Sequence, residues 1–176
     1  MIFTVNPSPA AKKQAPQIIP DWRFVSSHPA HFLSFGFGSG LARKAPGTWG
    51  TLVALPLMLL LQWILPNPII LAFCVPLFAL GVWAAEVTGR ALGVSDYGGI
   101  VIDEIIAMVM VLCFAPKTPL AWLLAFVLFR IFDIIKPWPI NWVDARIKGG
   151  LGVMVDDLIA AIFAVIALLA TLSLLT

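Results

Sequence analysis

Five long apolar runs organise the sequence, and short segments rich in proline, glycine or charge separate them. The runs cover residues 51–65, 69–85, 101–115, 120–135 and 153–175. Each is close to the ~20 residues that an α-helix needs to cross the hydrocarbon core of a bilayer. The pattern therefore predicts an all-α fold: a polytopic membrane helix bundle with about five transmembrane helices.

The segment before the first run has a different character. Residues 1–29 are rich in proline, and Lys12 and Lys13 are not followed by the apolar core of a signal peptide. We expect a flexible cytoplasmic tail there and a single membrane-embedded domain over residues 30–176. Residues 30–41, AHFLSFGFGSGL, are apolar but short and broken by glycine. We expect them to form a re-entrant or interfacial segment, because their backbone groups would be unpaired in lipid.

Composition supports the membrane interpretation and excludes other classes. The chain is 61% hydrophobic and 11% charged, whereas soluble domains are about 45–50% apolar and about 25% charged. The net charge of +2 is small and scattered, so we expect no nucleic-acid partner. Both cysteines lie inside apolar runs, which argues against a disulfide framework. The sequence predicts no particular oligomeric state.

The basic residues predict how the bundle is oriented. With five crossings, ten of the eleven lysines and arginines fall on one side, and only Lys117 falls on the other. Short cytoplasmic loops carry an excess of such residues. We therefore expect the N-terminus on the cytoplasmic side of the membrane and the C-terminus outside.

The same topology brings acidic side chains to one depth on the cytoplasmic side. Asp103 and Glu104 fall in the first turn of the third predicted helix, and Asp133 in the last turn of the fourth. Asp156 and Asp157 fall in the first turn of the fifth. Carboxylates within a span are costly, about 2.5–3.5 kcal/mol each at a helix centre, so five at one depth indicate a cationic partner.

Helix capping is the structural alternative for some of these acids, since aspartate is favoured at helix starts. Capping does not explain Asp133, at the unfavourable end of its helix, or the adjacent acidic pairs. A hard divalent cation with oxygen ligands accounts for the whole group, and Mg²⁺ is held in this way together with phosphate oxygens. The pattern favours metal-assisted chemistry on a phosphate group.

A glycine-rich segment precedes the first predicted helix and faces the same compartment. Glycine-rich loops that lead into a helix bind phosphate through backbone amides, which makes the following residues candidates for substrate contacts: Gly38, Gly40, Gly47 and Thr48. Close packing of the glycines is an equally good alternative. Neither the Rossmann nor the Walker nucleotide motif is present.

Four segments carry a resemblance to a known family. The strings GFGSGLARKAPGTWGT, VSDYGGIVIDE, FRIFDIIKPWPI and GGLGVMVDD resemble the motifs of phosphatidylglycerophosphatase A, in the same order. They cover the chain from about residue 36 to residue 164. The resemblance implies a Mg²⁺-dependent inner-membrane lipid phosphatase. Such an enzyme removes the terminal phosphate of phosphatidylglycerophosphate and yields phosphatidylglycerol and phosphate, a step in glycerophospholipid biosynthesis.

The resemblance also implies roles for individual residues. The catalytic acids would be Asp103, Glu104, Asp133, Asp156 and Asp157. Four of these would hold Mg²⁺, namely Asp103, Glu104, Asp156 and Asp157, with Asp96 and Asp133 as further candidate ligands. Arg130 and Lys136 match the family's basic positions and would bind the substrate. Two forms of the chemical step remain open here, attack by water and passage through an aspartyl-phosphate.

A transporter or channel is the competing class of function, because such proteins also carry acids within their spans. A permeation path requires polar groups across the whole thickness of the membrane. Residues 108–114 and 162–172, in the outer halves of the third and fifth helices, contain no charged residue. A purely structural subunit gives no reason for five acids at one depth. The sequence therefore favours the phosphatase.

Overall fold

The computed structural model describes residues 18–175, and all regular elements in that part of the chain are helical. In chain order these are α1 (Trp22–Ser26), α2 (Pro29–Ser34), a 3₁₀ segment (Gly36–Leu41), α3 (Pro46–Ile64), α4 (Asn67–Leu92), α5 (Ile102–Cys113), α6 (Pro119–Ile135), α7 (Ile140–Arg146) and α8 (Gly149–Leu175). The all-α prediction is confirmed for these residues. The five predicted helices correspond to α3, α4, α5, α6 and α8.

Local sequence signals set several helix boundaries. The Thr118 side chain accepts a hydrogen bond of 3.3 Å from the Ala121 amide, and Pro119 occupies the first turn of α6. α4 ends at Leu92 and is followed by the capping residue Gly93, whose φ of 71° lies in the left-handed region where glycine is favoured. α4 therefore runs beyond its predicted end at residue 85. An ion pair of 2.7 Å between Glu86 and Arg90 supports the added turns.

α5 is the central helix of the bundle and packs against α3, α4, α6 and α8. Beyond Glu104 it has no charged residue, and its side chains are apolar on every face. Met108 and Leu112 are fully buried, and Ile105 is nearly so. A helix that is apolar all round is stable where neighbours surround it, which explains why α5 forms the core.

Within residues 18–175, three helices are long and apolar enough to cross a membrane: α3, α4 and α8. α6 has 17 residues and α5 has 12. At ~1.5 Å per residue they are about 26 Å and 18 Å long, against a hydrocarbon core of about 30 Å. The described residues thus form a helical protein suited to a membrane, and a count of five crossings stays a prediction.

Part of the predicted tail is helical. Residues 1–17 of that tail lie outside the described residues. Residues 18–29 include helix α1, capped by Asp21 and with Val25 fully buried, and a domain boundary at residue 29 stays a prediction. The predicted re-entrant or interfacial segment forms α2 and the 3₁₀ segment, which pack on α4 and α3. Its place relative to a membrane stays a prediction.

Candidate functional site

A polar cleft of about 280 Å³ lies where α5 begins, α6 ends and α8 passes close to both. All five predicted acids line it: Asp103, Glu104, Asp133, Asp156 and Asp157. Arg130, Lys136, Asp96 and Gly47 also line the cleft. The expected convergence of acids from three separate helices is therefore present in the fold.

Asp103 and Glu104 lie in the first turn of α5, and Asp133 lies in the last turn of α6, as predicted. The predicted placement of Asp156 and Asp157 in the first turn of their helix is wrong. α8 begins at Gly149, which puts both aspartates in the third turn. The reason is a tertiary contact: the Glu86 side chain from α4 accepts a 2.8 Å hydrogen bond from the Gly150 amide. This caps the helix start, so Gly149, Gly150 and Gly152 form the first turn of α8.

Asp103, Glu104 and Asp157 form what is here called the unpaired half of the cleft, because each has a buried oxygen without a hydrogen-bond partner, although the other oxygen of Glu104 lies 3.8 Å from Arg130 Nη1. Each offers a carboxylate oxygen within 4.8 Å of the others. Asp103 and Asp157 are 8% and 4% exposed. Asp103 Oδ1, Glu104 Oε2 and Asp157 Oδ2 are buried and accept no hydrogen bond. Buried oxygens of this kind cost free energy unless something binds them, and the donor set suits a hard divalent cation.

Arg130 belongs to the paired half of the cleft. Its Nη1 lies 2.5 Å from Asp133 Oδ2 and 3.8 Å from Glu104 Oε1. The same nitrogen donates a 3.4 Å hydrogen bond to Thr51 Oγ1 on α3. The side chains of Arg130 and Asp133 are only 14% and 12% exposed. Asp133 therefore orients the guanidinium, in accord with its position three residues along the same helix.

Lys136 completes the paired half. It bonds to Asp156 on α8, and its Nζ lies 3.2 Å from Asp144 Oδ1 on α7. Burial lowers the pKa of an ammonium, but Asp156 and Asp144 outweigh that effect and raise the pKa of Lys136 above its ordinary value. Lys136 ends α6 in a left-handed conformation, φ 44°, which is unusual for a residue with a side chain.

Asp156 is thus engaged differently from the other expected metal ligands. Its Oδ2 bonds to Lys136, and its Oδ1 accepts a 3.1 Å hydrogen bond from the Asp157 amide. The structure brings three of the four expected ligands together and pairs the fourth with a lysine. Asp133, a further candidate ligand, is paired with Arg130, while Asp96 lies in the wall of the cleft.

The expected phosphate-binding glycines have mostly packing roles. A Cβ at Gly40 would overlap the backbone carbonyl of Gly99, and one at Gly38 would lie 2.6 Å from the Trp22 ring. Neither glycine lines the cleft, and Thr48 does not line it either. Gly47 does, and a Cβ there would collide with Glu104 Oε1. The alternative of close packing therefore accounts for Gly38 and Gly40.

Sequence reasoning missed three polar residues of the cleft: Ser95, Asp144 and Lys148. Asp144 lies on α7, a short helix that the apolar pattern did not predict. Asp144 and Lys148 are four residues apart in the sequence, a spacing that brings two residues of a helical turn together. In the structure Lys148 Nζ donates a 2.7 Å hydrogen bond to the Asp144 carbonyl. In all, seven carboxylates and three basic side chains line the cleft, so its walls carry excess negative charge.

Comparison with known proteins gives a direct assignment. The family model described as phosphatidylglycerophosphatase A matches residues 32–172, most of the chain. The chain belongs to the phosphatidylglycerophosphatase A family. The match includes all five predicted acids and both predicted basic residues, so the cleft lies wholly inside the part of the chain that defines the family.

Individual relatives agree with the family assignment. A phosphatidylglycerophosphatase A from Haemophilus influenzae is 44% identical over 81% of this chain and 88% of its own length. One from Escherichia coli is 42% identical over 81% of this chain and 83% of its own length. A protein from Bacteroides thetaiotaomicron with the provisional name phosphatidylinositol-3-phosphatase is 38% identical over 74% of this chain and 86% of its own length. No solved structure matches the chain.

Proposed function

We propose that this protein is a Mg²⁺-dependent phosphatidylglycerophosphatase of the bacterial inner membrane. It hydrolyses the terminal phosphomonoester of phosphatidylglycerophosphate to phosphatidylglycerol and phosphate, a step in glycerophospholipid biosynthesis. Family membership supports the reaction class. The observation that carries the proposal is the group of three buried carboxylates beside two basic side chains held by their own acidic partners.

Asp103, Glu104 and Asp157 are the proposed Mg²⁺ ligands. Their buried, unpaired oxygens fit the oxygen coordination that this cation prefers. Bound there, Mg²⁺ supplies Lewis-acid stabilisation of the charge that develops on the phosphate oxygens. Without a bound cation, the three carboxylates would repel a phosphate ester, since like charges repel one another.

Arg130 and Lys136 are the proposed substrate-binding groups. The substrate carries a phosphodiester and a terminal phosphomonoester, so it presents two anionic groups to the cleft. A guanidinium binds phosphate through two parallel hydrogen bonds, and an ammonium acts as a compact point charge. Asp133 and Asp156 hold the two bases in place before substrate arrives, which lowers the cost of ordering them.

The reaction balances as a hydrolysis. The oxygen of a water molecule forms a bond to phosphorus, and the bond between phosphorus and the glycerol oxygen breaks. The leaving glycerol oxygen takes up a proton, and the two products are a hydroxyl group on the lipid and inorganic phosphate. The acidic cleft supplies carboxylates within reach for the proton transfers.

The orientation and the active side follow from the charge pattern. We propose that the N-terminus and the cleft face the cytoplasm, because ten of the eleven basic residues fall on that side under a five-crossing topology. Labelling of single cysteines placed at Lys148 and Lys117 with a membrane-impermeant reagent tests this. Modification of the Lys148 position from the cytoplasmic side alone is the expected result.

The decisive experiment is phosphate release by the purified protein from phosphatidylglycerophosphate. We expect release with Mg²⁺, loss of release with EDTA and recovery when Mg²⁺ is added back. Phosphatidic acid is offered in competition, and we expect phosphatidylglycerophosphate to be preferred because it presents two anionic groups. The matched variants are Asp157→Asn in the cleft and Asp21→Asn at the cap of α1. Full Mg²⁺-dependent activity in folded Asp157→Asn would contradict the proposed site.

A further inference from the structure

Two apolar grooves of about 360 Å³ each lie on the outer surface of the helices. The first, here the α6 groove, runs along α6 and is lined by Phe126, Val127, Arg130, Ile131, Ile134 and Ile135. The second, here the α4 groove, lies where α4, α5 and α8 meet and includes Val75, Phe78 and Met110. Their similar volume makes them a natural pair for comparison.

Of these two grooves, only the α6 groove is continuous with the polar cleft. Arg130 and Ile134 line both. The α4 groove shares no lining residue with the cleft. From Ile134 to Phe126 the α6 groove descends about 12 Å at ~1.5 Å per residue. It is an apolar track with Arg130, whose guanidinium is bonded to Asp133, about midway along its lining residues.

α3 meets α6 at Arg130, the residue that lines both this groove and the cleft. α3 and α6 each pack on α5 but have almost no interface with each other. Arg130 Nη1 donates a 3.4 Å hydrogen bond to Thr51 Oγ1 on α3. Gly47, also on α3, leaves room for Glu104 and Arg130, since a Cβ there would collide with Glu104 Oε1 and lie 3.2 Å from Arg130 Nη1. The guanidinium therefore stands at the junction of the apolar groove and the polar cleft.

We propose that the α6 groove binds an acyl chain of the lipid substrate, and that the substrate reaches the cleft past Arg130, which lines both. This rests on the proposed function, since only a lipid has apolar chains to place. Continuity through Arg130 favours this occupant. The same molecule would fill the groove with hydrocarbon, pass its phosphodiester by the guanidinium and extend its terminal phosphate toward the unpaired carboxylates.

The test compares two forms of the substrate in detergent micelles of fixed composition. One is long-chain phosphatidylglycerophosphate, and the other is its deacylated, water-soluble counterpart, which keeps both phosphates. The readout is the ratio of kcat/KM for the lipid to kcat/KM for the deacylated compound. Val127→Trp fills the α6 groove, and Val75→Trp makes the same exchange in the α4 groove.

We expect Val127→Trp to lower this ratio about tenfold through a higher KM for the lipid, and Val75→Trp to leave the ratio at the wild-type value. Ile131→Ala removes part of the groove wall without adding bulk and should lower the ratio about threefold. It replaces Val127→Trp as the test variant if Val127→Trp does not fold. An unchanged ratio in both α6 variants overturns the proposal, as does an equal loss in Val75→Trp.

Failure of the two proposals can be told apart. If the wild-type protein releases phosphate from neither compound, both the proposed function and the acyl-chain assignment are overturned. A wild-type protein that is active while the α6 variants keep the wild-type ratio removes only the acyl-chain assignment. A second copy of this chain is the other possible occupant of the groove. A dimer that Val127→Trp converts to a monomer, with no change in the ratio, would identify it and overturn the proposal.

Discussion

The two halves of the cleft differ in how the charge of their buried carboxylates is compensated. In the paired half, Asp133 and Asp156 each contact a base, Arg130 and Lys136. In the unpaired half, Asp103, Glu104 and Asp157 lie within 4.8 Å of one another with three buried oxygens that accept no hydrogen bond. Asp156 and Asp157, adjacent residues of α8, therefore meet opposite surroundings.

This contrast indicates a division of tasks. The paired half is neutralised within the protein and so is formed before any ligand binds. The unpaired half is complete only when a cation arrives, because buried like charges repel one another. Under the proposed function, the paired half would position the anionic substrate and the unpaired half would bind the metal. Each of the following predictions tests that separation.

The largest effect should come from the unpaired half. We expect Asp157→Asn to lower Mg²⁺-dependent turnover about 10²–10³-fold, the range seen when one stabilising group of an active site is lost. Without Mg²⁺, its thermal midpoint should equal or exceed that of the wild type, because a repelling charge has been removed. Calorimetry with and without Mg²⁺ measures this. A large loss of stability without metal would mean that Asp157 is part of a paired network after all.

The paired half should behave in the opposite way. We expect Lys136→Met to destabilise the protein by about 2–4 kcal/mol, because it leaves Asp156 without its partner. Adding Asp156→Asn should recover most of the stability but not the activity. Denaturant unfolding and phosphate release measure the two quantities. Recovery of both in the double variant would show that Lys136 serves stability alone.

Gly47→Ala tests the boundary between the halves. Its Cβ would collide with Glu104 Oε1 and lie 3.2 Å from Arg130 Nη1, so both halves must shift. We expect a loss of turnover of about tenfold and a destabilisation of about 1–3 kcal/mol. Gly98→Ala is the matched control, because it lines the same cleft and a Cβ there meets nothing within 4 Å. Equal effects in the two variants would remove the steric argument.

The smallest effect concerns alkaline pH. Because its carboxylate partners raise the pKa of Lys136, its contribution to stability is complete below the unfolded value of about 10.4 and is lost only as pH rises through the folded value. The difference in unfolding free energy between wild type and Lys136→Met should therefore stay constant from about pH 7 to 10. A difference that declines within this window would contradict the raised pKa.

The sequence predicted the helical class and the convergence of the acids because both follow from local patterns. Apolar runs and proline breaks located α3 to α6, and the acidic residues stood at run ends. Glu86 was overlooked, since nothing near it in the chain shows that it caps α8. That contact moved the start of α8 to Gly149 and shifted Asp156 and Asp157 by two turns.

Sequence patterns also could not predict which side chains of the cleft pair with one another. Which carboxylates Lys136 contacts depends on its left-handed backbone conformation and on α7, which brings Asp144 close to it. Asp156 and Asp157 are neighbours of the same type, yet one meets Lys136 and the other meets Asp103 and Glu104. The helical rotation between adjacent residues decides this, and it can be evaluated only once all three helices are in place.

The short central helix has a further consequence for the cell. A hydrated, charged cavity in a membrane is a hazard, because protons or ions that cross there dissipate the membrane potential. Beyond Glu104, α5 has no ionisable side chain except Cys113, and Met108 and Leu112 are fully buried. Under the proposed membrane topology, this apolar core would separate the charged cleft from the opposite leaflet, so that the cleft would not become a leak.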